Sequence, residues 1–256
     1  MSDESDVAVE RDGAVLTVTL DRPAKLNALR RVDIDAVRAA LADPGDVRAV
    51  VFRGAGGRAF SAGVDVTEFL ALDTPDEARD FITALRAMLA AVRRAPVTTL
   101  CAVDGHCIGG AMELALACDL RVVTTRSRFG LPEIRLGIPS VVDASLLEQY
   151  VGLGTAKELI LTGDVVAATD PRVAALGTRL VDPDDLDAAL EELLGKVTGH
   201  TATVLAAQKR LFETWQNTTL DAGIAASVDE FAGVFGAADT HDALARYGAE
   251  KGITAP

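Results

Sequence analysis

The sequence predicts an α/β domain that ends in a helical region. Strand-like patterns concentrate before about residue 125, and helical patterns dominate after it. Residues 96–118 combine a short β-type run, an Asp-Gly turn and a compact helical segment, which together form an α/β unit. We therefore expect an α/β core over residues 1–195 and a helical C-terminal region over residues 196–256.

The elements of the first half follow from periodicity and end signals. Residues 15–20 alternate apolar and polar side chains, as in a half-buried strand. Residues 32–41 have helical spacing, and an Asp-Pro-Gly turn separates them from a buried strand expected at 49–52. Thr74 begins the clearest helix signal, because Pro75 follows it and Glu77 completes a capping box. A strand at 121–124 and a loop over 127–140 are expected next.

Beyond residue 140 the sequence predicts mainly helix. A capping box at Thr155 to Glu158 indicates one helix start, and the acidic residues around Pro183 indicate another. No repeat or low-complexity tract separates this part from the preceding strands. One α/β core with a helical extension remains the expectation.

Charge and cysteine content restrict the class of partner. The 256 residues contain 25 Lys and Arg against 38 Asp and Glu, a net charge of −13. This charge disfavours nucleic acid and anionic membranes as main partners, because both recruit cations. No apolar run approaches the roughly 18 residues of a membrane span, and the acidic N-terminus is unlike a signal peptide. Three cysteines without a CxxC pair favour the reducing cytoplasm.

Several common chemistries lack support in the sequence. The histidines, at positions 106, 200 and 241, have no metal-ligand spacing, so no metal site is expected. Residues 54–57 do not complete a GxGxxG loop. Ser61 lies in a segment one glycine short of the GxSxG nucleophile elbow. A small serine in a glycine-containing turn is the favoured interpretation of Ser61.

The informative stretch is the glycine pair that opens the helix after residue 108. Gly109 and Gly110 allow a tight backbone, and the free N–H groups of a helix start favour negative charge. Glu113 lies about one turn beyond Gly110, and Glu133 follows Pro132 further along. Two carboxylates in one apolar site can divide the acid and base roles, although each glutamate taken alone is more often a solvated surface residue.

Four segments in succession resemble the signatures of the crotonase (enoyl-CoA hydratase/isomerase) superfamily. They are residues 20–29, 59–65, 109–115 and 129–133, and the likeness continues through residues 161–164 and 231–251. The resemblance implies a spiral of β-β-α units and a helical C-terminal trimerisation region. It also implies an acyl-CoA thioester substrate, a homotrimer or dimer of trimers, and no cofactor beyond the CoA of the substrate.

The resemblance also implies roles for individual positions. The backbone amides of Val64 and Gly110 would form an oxyanion hole, Glu113 would act as base on water, and Glu133 would protonate the α-carbon. The implied reaction is that of an enoyl-CoA hydratase, which adds water to a trans-2-enoyl-CoA to give 3-hydroxyacyl-CoA. Double-bond isomerisation and a non-catalytic acyl-CoA-binding subunit are the alternatives. The expected CoA and substrate contacts are Arg22, Lys25, Ala28, Ala62 and Asp65.

Four further features carry expectations of their own. The loop after Glu133 is one residue shorter than in typical hydratases, and Ser140, in place of a glycine, narrows backbone freedom and adds volume. Asp143 either adds a third carboxylate to the site or faces solvent, and solvent is favoured. A basic cluster is expected to attract CoA phosphates, and apolar C-terminal side chains indicate a subunit interface. The cluster is Arg22, Lys25, Arg30 and Arg31, and the apolar set is Leu211, Phe212, Trp215, Phe231, Val234 and Phe235.

Overall fold

Two sheets organise the computed structural model, which describes residues 4–253. The strands are β1 (Val7–Asp12), β2 (Val15–Leu20), β3 (Ala49–Gly54), β4 (Ala59–Ser61), β5 (Thr98–Val103), β6 (His106–Ile108), β7 (Leu120–Thr124), β8 (Arg128–Gly130), β9 (Val165–Ala167) and β10 (Arg179–Val181). The larger sheet has the order β1-β2-β3-β5-β7-β10 and is parallel except between β1 and β2. The smaller sheet has the order β4-β6-β8-β9 and is parallel except between β8 and β9.

Helices follow most of the strands and account for the C-terminal part of the chain. They are α1 (Arg31–Ala42), α2 (Val66–Leu70), α3 (Pro75–Arg94), α4 (Gly110–Ala117), α5 (Leu147–Thr162), α6 (Leu186–Thr198), α7 (Ala202–Asn217), α8 (Leu220–Val234) and α9 (Ala238–Lys251). Short 3₁₀ turns connect several elements, among them Pro23–Lys25, Pro132–Leu136 and Val142–Leu146.

The central strands of the larger sheet, β3, β5 and β7, are buried on both faces. In β3, Val50 and Phe52 belong to the main apolar core, whereas Ala49 and Val51 belong to a second cluster. This alternation follows from the two-residue period of a strand. Side chains of α1, α3 and α4 cover the first face, and α6 covers the second. Strands covered on both sides are typical of parallel sheets in α/β proteins.

The predicted α/β class is confirmed, and the clearest local signals are found where expected. The capping box at the start of α3 is present, because the Glu77 N–H donates to Thr74 Oγ1 at 3.3 Å and the Thr74 N–H donates to Glu77 Oε2 at 2.9 Å. The expected helix after residue 31 and the strands at 49, 98 and 120 also form.

The second half contains more β structure than the sequence predicts. The expected loop at 127–140 is wrong, since it contains β8 and the 3₁₀ turn Pro132–Leu136. β9 and β10 also lie in the part expected to be helical. Thr155 is inside α5, which bends at Gly152 (φ +77°), so the predicted helix start is replaced by a kink three residues earlier. Three-residue strands are too short to show an alternating pattern, and their pairing with neighbouring strands decides their structure.

The C-terminal helices join the core through α7. Lys209 of α7 is buried, and its Nζ donates to both carboxylate oxygens of Asp119 at 2.8 Å. The predicted division between residues 195 and 196 falls inside α6, and the chain leaves the sheet only after that helix. The limits of the two predicted ranges at residues 1 and 256 lie outside the described residues.

Between residues 4 and 253, no helix is both long enough and apolar enough to span a bilayer.

Candidate active site

Two glycine-containing segments cross closely at one edge of the smaller sheet. β4 and β6 are parallel neighbours, so Gly63 and Gly109 follow them at the same edge. Both glycines have positive φ, +89° at Gly63 and +58° at Gly109. A Cβ added at Gly63 would lie 2.5 Å from the Ile108 carbonyl oxygen and 3.1 Å from the Gly110 nitrogen. Only glycine permits both this backbone conformation and this approach.

The crossing brings two backbone amides together. The Leu29 N–H donates to the Gly63 carbonyl at 2.7 Å, and the Asp65 N–H donates to the Leu29 carbonyl at 2.8 Å. In this parallel bridge Val64 makes neither bond, so its N–H is directed away from Leu29. A Cβ added at Gly110 would lie 3.7 Å from the Val64 nitrogen. Gly110 is the first residue of α4, where an N–H has no intrahelical acceptor.

A largely apolar cavity of about 260 Å³ adjoins these amides. Most of its lining comes from three parts of the chain. They are α2 with the segment before it, α3, and the loop after Glu133. The apolar lining includes Ala62, Val66, Phe69, Ile82, Leu85, Ile108, Ile138 and Val141, and the charged side chains at its wall are Glu113, Glu133 and Arg135. The sequence did not single out the contributions of α2 and α3, because their apolar side chains also fit an ordinary helix-to-core stripe.

Glu113 is buried in this wall with 3% of its surface exposed. Burial raises the pKa of the Glu113 carboxyl well above its ordinary value, and the nearby charges of Glu133 and Asp143 raise it further. Among the described residues, Glu113 Oε2 has no hydrogen-bond partner. These conditions favour the neutral form of Glu113 in the unliganded site, whereas the resemblance makes Glu113 the base.

Glu133 occupies a more open position between two small residues. The Ser140 hydroxyl donates to Glu133 Oε2 at 2.6 Å. A Cβ added at Gly109 would lie 2.7 Å from Glu133 Oε1, so the absence of a side chain at Gly109 leaves room for the carboxylate. The structure therefore brings Glu113, Glu133 and the two amides to one cavity. The bond from Ser140 to Glu133 was missed by the sequence analysis, which treated Ser140 only as added volume.

Asp143 corrects an expectation, because it does not face solvent. It is 6% exposed and forms an ion pair with Arg93, whose Nε also donates to Glu213 Oε1 of α7 at 3.1 Å. Burial raises the pKa of the Asp143 carboxyl, and Arg93 partly offsets this effect. The 3₁₀ turn Val142–Leu146 directs Asp143 inward, and Val142 has φ +51°.

The expected basic cluster is also corrected, because most of its charges are neutralised. Arg22 pairs with Asp65 at 2.6 Å and also donates to the Ala28 carbonyl at 3.3 Å. Lys25 is exposed, and it forms no ion pair with any residue between 4 and 253. The remaining two arginines bind aspartates: Arg30 is buried against Asp33 and Asp6, and Arg31 pairs with Asp35 and Asp80.

The expected substrate positions divide between the cavity and the adjoining loop. Ala62 lines the cavity, whereas Arg22, Lys25, Ala28 and Asp65 surround the 3₁₀ turn that precedes α1. The Asp65 carboxylate also caps α2 by accepting the Thr67 N–H at 3.0 Å. Its contacts in this structure are therefore with the protein itself.

Ser61 and the histidines do not form a hydrolase site. Ser61 is fully buried, and its hydroxyl accepts the Gly63 N–H at 3.1 Å, which fixes the turn before Val64. His106, His200 and His241 are absent from the cavity lining. No group of three or more His, Cys, Asp or Glu side chains within residues 4–253 is arranged to hold a metal ion.

The fold and the site define a crotonase-type protein, and comparisons with known proteins agree. A family model for enoyl-CoA hydratase/isomerase matches residues 10–254. The short-chain-enoyl-CoA hydratase of Clostridium acetobutylicum is 29% identical over 247 residues, covering 95% of this chain and 94% of that protein. The probable enoyl-CoA hydratase of Rhizobium meliloti is 34% identical over 251 residues, covering 95% of each.

A solved structure extends the likeness to three dimensions. A Thermobifida fusca structure in complex with CoA has a TM-score of 0.82 and 27% identity, covering 91% of this chain and 93% of that chain. The chain therefore belongs to the enoyl-CoA hydratase/isomerase family.

The burial of Glu113 predicts a pH-dependent effect on stability. Because burial raises the pKa of the Glu113 carboxyl, the folded protein retains this proton at pH values where the unfolded chain, with an ordinary glutamate pKa of about 4.3, has lost it. The free energy of unfolding therefore falls as pH rises above that value, and Glu113→Gln removes this loss. We expect the stability of Glu113→Gln relative to the wild type to increase from pH 5 to pH 8 in urea denaturation. The control is Glu148→Gln on the exposed side of α5, and an equal pH trend in both variants would contradict the prediction.

Proposed function

We propose that the protein is an enoyl-CoA hydratase that adds water to a trans-2-enoyl-CoA and forms a 3-hydroxyacyl-CoA. The observation that carries the proposal is the meeting of two carboxylates, Glu113 and Glu133, with two backbone amides at one apolar cavity. Hydration needs a base for water, an acid for the α-carbon and a site for negative charge on the thioester oxygen. This cavity has a candidate for each.

The amides of Val64 and Gly110 are the candidates for stabilising the thioester oxygen. When hydroxide adds to the β-carbon, the electron pair of the double bond moves through the α-carbon onto this oxygen, which becomes an enolate. Fixed N–H donors at such an oxygen are worth roughly 3 to 4 kcal/mol each in measured enzymes. Both donors belong to the backbone, so the side chain at position 64 affects the cavity and leaves the donor unchanged.

Glu113 and Glu133 act in the proposal as a coupled pair that carries one proton. The ionised carboxylate takes a proton from water as oxygen bonds to the β-carbon, and the protonated carboxylate delivers its proton to the α-carbon. The pair ends with one proton, so the site is ready for another cycle.

Substitution of the two glutamates tests this mechanism. Glu113→Gln and Glu133→Gln should each lower kcat by at least roughly 100-fold, the usual cost of losing a general acid or base, with little change in substrate binding. The measurement is product identification with a panel of enoyl-CoA chain lengths. Failure to hydrate any of them, together with isomerisation of a 3-enoyl-CoA, would favour the isomerase alternative. Binding of acyl-CoA without turnover would favour the non-catalytic one.

Lys25 is proposed as a contact for the CoA phosphates. Its exposure and lack of an ion pair among the described residues support this, as do the family and the CoA of the T. fusca relative. Lys25→Glu should raise KM for the CoA ester about two- to fivefold at low salt, since an exposed charge contact is worth roughly 0.2 to 1 kcal/mol. The effect should shrink at high salt. Lys196→Glu on α6, beyond the opposite face of the larger sheet, is the charge-matched control. Equal KM values for the two variants would remove Lys25 from the binding site.

A homotrimer or dimer of trimers is proposed as the assembled state. Phe231 is 69% exposed and Ile224 is 57% exposed, and they share α8 with other exposed apolar side chains. A large apolar patch on a protein surface usually marks an interface. Light scattering at micromolar concentration should give about three or six times the 26.7 kDa chain mass. Phe231→Glu should lower that mass, and a wild-type mass near one chain would contradict the proposal.

A further inference from the structure

Ser140 lies in the loop that returns the chain to Glu133. The Ile138 N–H donates to the Glu133 carbonyl at 3.3 Å, which closes this loop on the backbone. The Ser140 hydroxyl closes it again on the side chain, at 2.6 Å from Glu133 Oε2. Ser140 is half-buried, and its hydrogen bond is to the carboxylate itself.

The bond restrains a side chain that is otherwise able to rotate. Glu133 Oε2 is held by Ser140, while Oε1 lies against Gly109, next to the amide of Gly110. The hydrogen bond to Oε2 and the closeness of Oε1 to Gly109 restrict rotation of the carboxylate relative to the start of α4.

We propose that Ser140 is a positioning residue for the acid-base pair: its hydroxyl fixes the Glu133 carboxylate beside Gly109. The proposal rests on the hydratase function proposed above. The resemblance leads one to expect glycine at this position, and a glycine has no hydroxyl to donate. Ser140 therefore adds to this chain a restraint that its backbone alone does not provide.

The hydroxyl of Ser140 can be removed without changing any charge near Glu113 and Glu133. Ser140 is uncharged, so its substitution alters only the restraint on the Glu133 carboxylate. α2 and α3 contribute apolar side chains to the cavity. The charged groups on the surrounding elements are Glu113 of α4, Arg135 with its partner Asp164, and Asp143 with its partner Arg93.

The first test is kinetic and uses a substitution series. Ser140→Ala and Ser140→Gly should lower kcat about tenfold with KM unchanged, since a hydrogen bond to a charged group is lost and substrate contacts remain. Ser140→Thr keeps the hydroxyl and should restore most of the rate. Ser145→Ala removes a neighbouring exposed hydroxyl that bonds the Val142 carbonyl, and it should leave the rate unchanged. Circular dichroism verifies that each variant is folded.

Rescue by threonine and the split between kcat and KM are readouts that simple loop support would not give. A loop that merely lost its packing would also be disturbed in Ser140→Thr, because threonine changes the volume at this position. An unchanged kcat in Ser140→Ala, or a Thr variant as slow as the Ala variant, would overturn the proposal.

A second measurement separates this proposal from the hydratase function. Carbon-13 NMR of protein labelled at the glutamate carboxyl carbons follows Glu133 without turnover, and Glu133→Gln assigns its signal. The chemical shift of this signal should change in Ser140→Ala, which loses the hydrogen bond to Oε2, and return towards the wild-type value in Ser140→Thr. Identical chemical shifts in the wild type and Ser140→Ala would overturn the role of Ser140 whether or not an enoyl-CoA is hydrated. A changed chemical shift in a protein without hydratase activity would support the contact and reject the proposed reaction.

Discussion

The close crossing of two backbone segments at Gly63 and Gly109 is the constraint on which the site depends. The crossing requires residues without a Cβ, and it requires β4 and β6 to remain paired and parallel. Asn27 stabilises it from outside the sheet, since its buried amide donates to the carbonyls of Ala55 and Ala59 at 3.0 and 2.9 Å. The same side chain accepts the Arg22 N–H at 3.0 Å. One amide thus connects the turn before α1 to the strand that leads to Val64.

Electrostatics links this site to the C-terminal helices. Arg93 lies between Asp143, whose charge acts on Glu113, and Glu213 of α7. Asp143 is therefore part of a chain of ion pairs that extends from the cavity wall to the helical region. Lys209 and Asp119 join the same helix to the core a short distance away. The helical region thus contributes to the charge environment of the glutamates as well as to the surface of the molecule.

Sequence reasoning succeeded where a local signal determines the structure. The capping box at Thr74, the strands long enough to show a period, and the glycines before α4 all specify their structure within a few residues. The four short signatures identified the family, and the structure brings residues of three of them to one cavity. These features required no knowledge of distant contacts.

Sequence reasoning failed where contacts between distant parts of the chain decide the local structure. β8, β9 and β10 have three residues each, and their state depends on pairing with strands elsewhere in the chain. Asp143 was assigned to solvent because its partner Arg93 is 50 positions away. The basic cluster was overestimated in part for the same reason, since Asp65, which pairs with Arg22, and Asp80, one of the two partners of Arg31, belong to other elements. Ser140 was judged by its volume, because only the folded loop shows that its hydroxyl reaches Glu133.

The amides of Val64 and Gly110 belong to the main chain, and this has a consequence for how the protein can evolve. A point mutation that truncates a side chain cannot delete either donor. Damage requires a change that moves the backbone, such as a Cβ at Gly63, where the nearest carbonyl oxygen would be only 2.5 Å away. The glutamates, in contrast, can be exchanged one nucleotide change at a time. Under the proposed function, sequence drift can therefore alter the proton chemistry of this cavity while the placement of its two amides is inherited unchanged.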